Sequence, residues 1–431
     1  MKPSRLLPLA AAAGALPADA PRPQVSMRHG VPSTLDSAIS HLGRAALNAA
    51  DAVVQTGRRV PEYHDGSGAA AAVEAVTGAL QLAQDVPTTR GQRERTGPSA
   101  NRSVFEIIRQ SGQATYFAQL LESHARLRDM CDGDDDEEAG VFTVLAPTDA
   151  AFRELKGFER SEGALLGAML EYHVLEGRRS ADELGKASGT LPTVLAEGEL
   201  GGRQQRVRVA AGRAGAEVNF YGRVVGSESN GRNGVVHFID SVLVPPPRCA
   251  ALVGSLAGRL GTFSRALRET RVAEEMRGRG RGVTLFAPSD EAWEEKLGAE
   301  ARGFLLSRAG RAYLRALVRY HVAEEVLYTD DGEERRRRRV GTLLGGEDVS
   351  VDFGGRDGSR TARVNGAAVS VGDVPARDGV VHVLDGVLLP PIRGTADGDE
   401  AADEGRISVQ GLKRRLGRYV EGGDGAGSEE L

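Results

Sequence analysis

The chain has 431 residues, of which 55 are basic and 60 acidic, for a net charge of −5. That length leaves room for two or three domains, each large enough to bury a core, and the near-balanced charge demands neither nucleic acid nor an acidic substrate as partner. With 5% aromatic residues and 56 glycines, the chain is rich in turns and poor in the stacking platforms of a nucleic-acid surface.

Lys2 and Arg5, the short apolar run Leu6 to Leu16 and then Ala18-Asp-Ala20 describe a cleavable secretory signal over residues 1–20. An Ala/Pro-rich leader or an organelle presequence is the blander alternative. Residues 21–100 predict an Ala-rich spacer, partly helical or disordered, with Leu35, Ile39, Leu42 and Ala46 and then Val73, Val76 and Leu80 at helical spacing. Asn101-Arg-Ser103 is a single glycosylation sequon, which fits a secreted chain.

Two amphipathic helices are expected next, on Val104, Ile107 and Ile108 and on Phe117, Leu120 and Leu121. The acidic run Asp132 to Glu138 lacks the alternating ligands of a calcium loop and reads as a solvated insertion. Val141-Phe-Thr-Val-Leu-Ala-Pro-Thr-Asp-Ala-Ala-Phe152 then spells strand, corner and helix. Pro147 cannot donate to a ladder and stops the strand, Thr148 is suited to cap the helix, and Asp149 favours its positive end. An apolar helix ends at Tyr172-His173, hairpin-like alternation follows, and Gly234-Val-Val-His-Phe-Ile-Asp-Ser-Val-Leu-Val-Pro-Pro246 closes the segment. Alternation puts His237 on a face with Val235 and Ile239, as a core histidine, and Asp240 reads as a backbone-bonding turn residue.

All three landmarks recur in order. Pro288, Ser289 and Asp290 form the second corner, Tyr320-His321 ends the second helix, and Gly379-Val-Val-His-Val-Leu-Asp-Gly-Val-Leu-Leu-Pro-Pro391 carries His382 and Asp385. The offset is roughly 145 residues, a domain rather than a solenoid repeat. The chain is therefore a tandem duplication, with domains at 101–247 and 248–393 joined by a short stiff link at Pro245 to Pro247.

This order of motifs, present twice, resembles the fasciclin domain. The resemblance implies an α+β fold in which each domain is a twisted antiparallel β wedge with several packed helices. It also implies a non-catalytic adhesion or matrix-binding protein, secreted or on the cell surface, with a vacuolar site as the alternative. In animal fasciclin proteins a Tyr-His motif is linked to integrin adhesion, which makes Tyr172, His173, Tyr320 and His321 candidate binding residues; packing under the sheet is the competing reading. Expected partners are an extracellular or cell-wall protein or an acidic polysaccharide.

No serine-hydrolase elbow, zinc-protease motif or phosphate loop occurs, so no catalytic residue, metal or cofactor is expected. A carbohydrate-active enzyme using clustered acids is the alternative from another class. Cys131 and Cys249 flank the first repeat, either as one bridge or as two free thiols. Arg335, Arg336, Arg337, Arg338 and Arg339 could bind a polyanion, serve as a nuclear address or protease site, or be a solvated insertion. Residues 394–431 predict an acidic linker and a short basic amphipathic helix with Leu412, Leu416 and Tyr419 on one face, which docks on its own protein or on an anionic partner.

Overall fold

The computed structural model describes residues 101–133, 140–154, 163–212, 215–331, 337–354, 362–392 and 405–421. The expected signal, spacer, most of the acidic run, Arg335, Arg336 and the acidic linker lie outside the described residues.

In the first domain, α1 (Val104–Gln110) starts at a capping box: the Ser103 hydroxyl accepts the Glu106 amide at 3.1 Å, and the Glu106 carboxylate accepts the Ser103 amide at 3.0 Å. Helices α2 (Thr115–Ser123) and α3 (Ala125–Asp132) follow, then β1 (Phe142–Pro147), α4 (Asp149–Glu154) and α5 (Gly163–Tyr172). The sheet continues as β2 (Val174–Glu176), β3 (Ser188–Glu197), β4 (Arg203–Gly212), β5 (Gly215–Val218), β6 (Gly222–Gly231) and β7 (Gly234–Ile239), with α6 (Ala181–Lys186) between β2 and β3. These strands close into a barrel in chain order.

One seam corrects the antiparallel expectation. β7 lies parallel to β1 over six residue pairs, Phe142↔Gly234 to Pro147↔Ile239. The cause is parity, since in a meander of seven strands the first and last run the same way. Gly234 makes the seam possible, because a Cβ there would sit 2.1 Å from the Phe142 carbonyl oxygen.

The second domain repeats the plan with α7 (Cys249–Ser255), α8 (Ala257–Thr270), α9 (Val272–Arg277), β8 (Val283–Pro288), α10 (Asp290–Leu305), α11 (Arg311–Tyr320) and strands β9 (Val322–Ala323), β10 (Arg337–Gly341), β11 (Asp348–Asp352), β12 (Arg363–Val364), β13 (Ala367–Ala376) and β14 (Gly379–Leu384). β14 pairs parallel with β8 in the same register. β9 meets the segment just after β10 at the bridge Ala323↔Thr342, the counterpart of the first domain's Leu175↔Thr193 pair.

Two apolar clusters fill the first domain, one under its helices around Phe117 and Leu121 and one inside the barrel around Tyr172 and Val209. The second domain has one continuous core. It extends beyond the last strand into α12 (Val409–Leu416), whose Leu412 and Leu416 are fully buried. The basic residues of that helix and of the turn after it face their own protein: Arg415 donates to the Pro390 carbonyl at 3.0 Å, Lys413 lies over the Phe304 ring, and Arg418, just past the helix end, pairs with Glu347 at 2.8 Å.

Candidate functional site

Each corner is built as a joint between helices. Thr148 and Ser289 accept the Ala151 and Ala292 amides at 3.3 and 3.1 Å, capping the helix that follows. Asp149 and Asp290 reach elsewhere than expected. Asp149 accepts the Tyr116 amide at 3.0 Å and the Thr115 hydroxyl at 2.8 Å, while Asp290 accepts the Gly261 and Thr262 amides at 3.0 and 2.8 Å. They therefore satisfy free amides of an earlier helical segment and tie it to the sheet corner.

The Tyr-His pairs are buried in both copies. Tyr172, His173 and His321 are fully buried, and Tyr320 nearly so. The Tyr172 hydroxyl donates to the Arg206 carbonyl at 3.0 Å and accepts the Asn219 amide at 2.9 Å. Tyr320 does the same with Asp348 and Asn365, at 3.1 and 2.9 Å. Both asparagines hold a positive φ, 51° and 47°, a conformation this side chain tolerates better than most. Nδ1 of His173 and His321 donates to the Met169 and Leu317 carbonyls, at 2.7 and 2.8 Å. Nε2 accepts the Leu243 and Leu388 amides, at 2.9 and 3.0 Å. Burial holds both imidazoles neutral, pushing their pKa down to about 4. Each pair is a clamp between a helix end and the segment after the last strand, and it offers no side-chain surface to an adhesion partner.

His237 and His382 are also buried, and each bonds a carbonyl through Nε2: Arg179 at 2.7 Å and Leu327 at 2.8 Å. Asp240 accepts the Arg223 amide at 2.8 Å and Asp385 the Ala368 amide at 2.6 Å, each pinning the start of the neighbouring strand, β6 or β13. The sequence reading missed the acids that help hold the histidine loops. Glu228 accepts the Ala181 amide at 2.6 Å and Asp373 the Thr329 amide at 2.8 Å, from matching places in the two copies. The asparagine partners were visible in the repeated Val218-Asn219 and Val364-Asn365.

No bridge joins the cysteines. Both are free and buried, Cys131 in the first domain's helical core and Cys249 in the second domain's core, and burial pushes the Cys131 thiol up to about 12. A thiol sequestered in its own apolar cluster has no route to the other. Arg337, Arg338 and Arg339 form strand β10 rather than a loop, and meet Asp352 at 2.5 Å, Glu325 at 2.7 Å and Asp348 at 3.6 Å. Asn101 is exposed.

The most concentrated polar chemistry lies where the domains meet. From the second domain, Asp330 accepts the Thr190 amide on the rim of β3 at 2.7 Å. The Arg206 guanidinium lies 4.7 Å over the Tyr328 ring, bonds Thr190 at 2.7 Å and approaches Asp330 and Asp331 at 3.5 Å. Gln205 donates to the Ala376 carbonyl at 3.0 Å, Arg248 meets Glu199 at 2.7 Å, and Arg203 donates to the Arg281 carbonyl. Leu200, Val326, Tyr328 and Val380 form a small apolar cluster across the joint. Beside it opens a groove of about 480 Å³.

Comparison with known proteins agrees with this architecture. The chain is 27% identical over 364 residues to aurofusarin biosynthesis cluster protein S of Gibberella zeae, covering 74% of this chain and 87% of that one. It is 28% identical over 292 residues to a fasciclin-like arabinogalactan protein of Phaeosphaeria nodorum, covering 63% and 85%. Against the transforming growth factor-beta-induced protein ig-h3 of Sus scrofa it is 27% identical over 312 residues, 71% of this chain but 40% of that protein. The fasciclin domain model matches twice, at residues 112–245 and 258–390. Covered by those two matches over more than half its length, and carrying the same buried clamps in both copies, the chain belongs to the fasciclin-domain family.

Proposed function

We propose that the chain is a non-catalytic adhesion or matrix-binding protein that acts outside the cell or at its surface, using two fasciclin domains held as one unit to bind an extracellular protein or an acidic polysaccharide. The observation that carries the reading is the fate of the repeated polar residues. Tyr, His, Asp and the corner hydroxyls are taken up in both copies by backbone groups of the fold. Residues that recur yet are occupied with architecture leave recognition to the surface and to the joint between the domains.

Two further facts support it. Among the described residues no helix is long and apolar enough to cross a membrane. The contacts across the joint fix the domains against each other, so two weak sites would gain from their shared spacing. The basic features open to such a partner are the arginine run ending in β10 and the groove at the junction.

Retention of the full chain on immobilised wall or matrix extract, and its release by excess soluble extract, is the expected result. Failure to be retained would end the adhesive reading. Turnover of a glycan panel that is abolished by Asp240→Asn or Asp385→Asn would replace it with an enzymatic one.

A further inference from the structure

The geometry points to the junction groove as a site for a carboxylated sugar, a uronate unit of an acidic polysaccharide, an assignment that rests on the matrix-binding role proposed above. At about 480 Å³, the groove is in the roughly 300–1,000 Å³ range of small-ligand sites, which favour domain interfaces.

Its donors are unevenly spent. Every side-chain hydrogen bond that Arg206 makes to the described residues uses Nη1, which serves Thr190, Asp330 and Asp331. The opposite edge of the guanidinium, Nε and Nη2, has no acceptor among the described residues. That edge is a planar fork of two parallel N–H groups, the shape that grips a carboxylate at two points. The stack on Tyr328 holds the plane in place before a ligand arrives, so little side-chain entropy remains to be lost on binding.

The rest of the lining suits a pyranose ring. Pro192, Leu200 and Val326 present apolar walls to its C–H faces, and Arg203 stands exposed at the mouth. The one acid of the lining, Asp331, already accepts the Tyr328 amide at 3.3 Å and faces the Nη1 side of Arg206. It therefore lowers the net charge of the groove without blocking the fork. The arginines of β10 lack this feature, because each described one already turns the Nε/Nη2 edge to a carboxylate: Arg337 to Asp352, Arg338 to Glu325 and Arg339 to Asp348.

The test is calorimetric titration of the full chain with a galacturonic acid trimer, a neutral galactose trimer and acetate. The trimer of galacturonate is expected to bind, with the neutral sugar and acetate at least about tenfold weaker. Arg206→Lys keeps the charge and removes the fork, though it also weakens the joint, and Gln204→Trp fills the groove from its rim; each should cost about tenfold or more in affinity, the second with melting temperature unchanged. Equal binding of the neutral trimer or acetate, no binding at all, or affinity indifferent to both substitutions overturns the assignment. If the chain is retained by matrix extract and the galacturonate trimer neither binds nor competes, the groove falls and the adhesive role stands. Absence of retention ends the adhesive role, and the titration still decides the groove.

Discussion

His237 in the first domain has one partner, the Arg179 carbonyl, whereas its counterpart His382 has two, the Leu327 carbonyl and, at 3.2 Å on Nδ1, the Asp373 amide. Nδ1 of His237 is buried with no partner among the described residues. The difference lies in the neighbouring strand. β6 jumps in register from Val225 to Ser229 in a single step, but β13 shifts twice, at Val369/Val371 and Val371/Val374. The second arrangement turns Asp373 to a φ of 57° with its amide facing the ring. The rims differ as well. Thr190 in β3 is covered by Asp330 of the second domain, while the corresponding edge of β10 carries Arg337 to Arg339. The backbone bonds of the Tyr-His clamps and of Asp240 and Asp385 are common to both copies, and the divergence is concentrated where a copy meets a neighbour or a bulge.

The largest test of that contrast strikes what the copies share. Gly379 would place a Cβ 1.8 Å from the Val283 carbonyl oxygen, and Gly234 one at 2.1 Å from that of Phe142. Alanine at either is expected to cost about 4 kcal/mol or more, since a backbone must move; urea unfolding showing a loss under about 1 kcal/mol would break the equivalence of the two seams. Next comes a feature that, among the described residues, belongs to the second copy. Leu412→Ala should remove about 3 kcal/mol from the second domain, with native-state hydrogen exchange in the first domain unmoved; equal loss of protection in both would mean they unfold as one.

A smaller effect follows from acid. His173 and His321 have a folded pKa near 4 against an ordinary 6.5. The unfolded chain thus binds the extra protons, and stability that is complete above pH 6.5 drains away as pH falls towards 4. The sign is loss on acidification, about 2 kcal/mol per histidine between pH 7 and pH 5. A urea midpoint unchanged over that interval would contradict neutral, buried clamps. The finest comparison is His382→Phe against His237→Phe. The first forfeits two hydrogen bonds and the second one, so it should cost more by about 1 kcal/mol; equal losses would erase the distinction drawn above.

Much of the skeleton was legible because it rests on local chemistry. Pro147 and Pro288 end strands wherever they stand, and Thr148 and Ser289 cap the helix three residues on. Repetition made the rest of the plan readable: three landmarks in order, twice, are a fold before any contact is known. Long-range partners were not legible. Asp149 sits at the start of one helix and bonds the start of another, 33 residues earlier, and nothing in its own neighbourhood says so. The parallel seam depends on counting every strand, including the two-residue β9 and β12, which carry too little pattern to be seen. The arginine run looked like a solvated loop because its acids, Glu325, Asp348 and Asp352, are distributed over other segments. The junction was the least visible part, since Thr190, Arg206, Tyr328 and Asp330 match no motif and meet only once both domains exist.

The Asp330 contact on Thr190 also sets an order of events during synthesis. Residues that finish the second domain's half of the joint, Ala376 to Val380, leave the ribosome roughly 7–27 s after Pro247 at ordinary elongation rates. For that interval the nascent first domain stands with the β3 rim, Leu200 and Gln205 bare, an edge of the kind that recruits chaperones or stray strands. The second domain is therefore the built-in escort that retires this edge, and slowing translation between the two halves would raise the share of chains lost to aggregation.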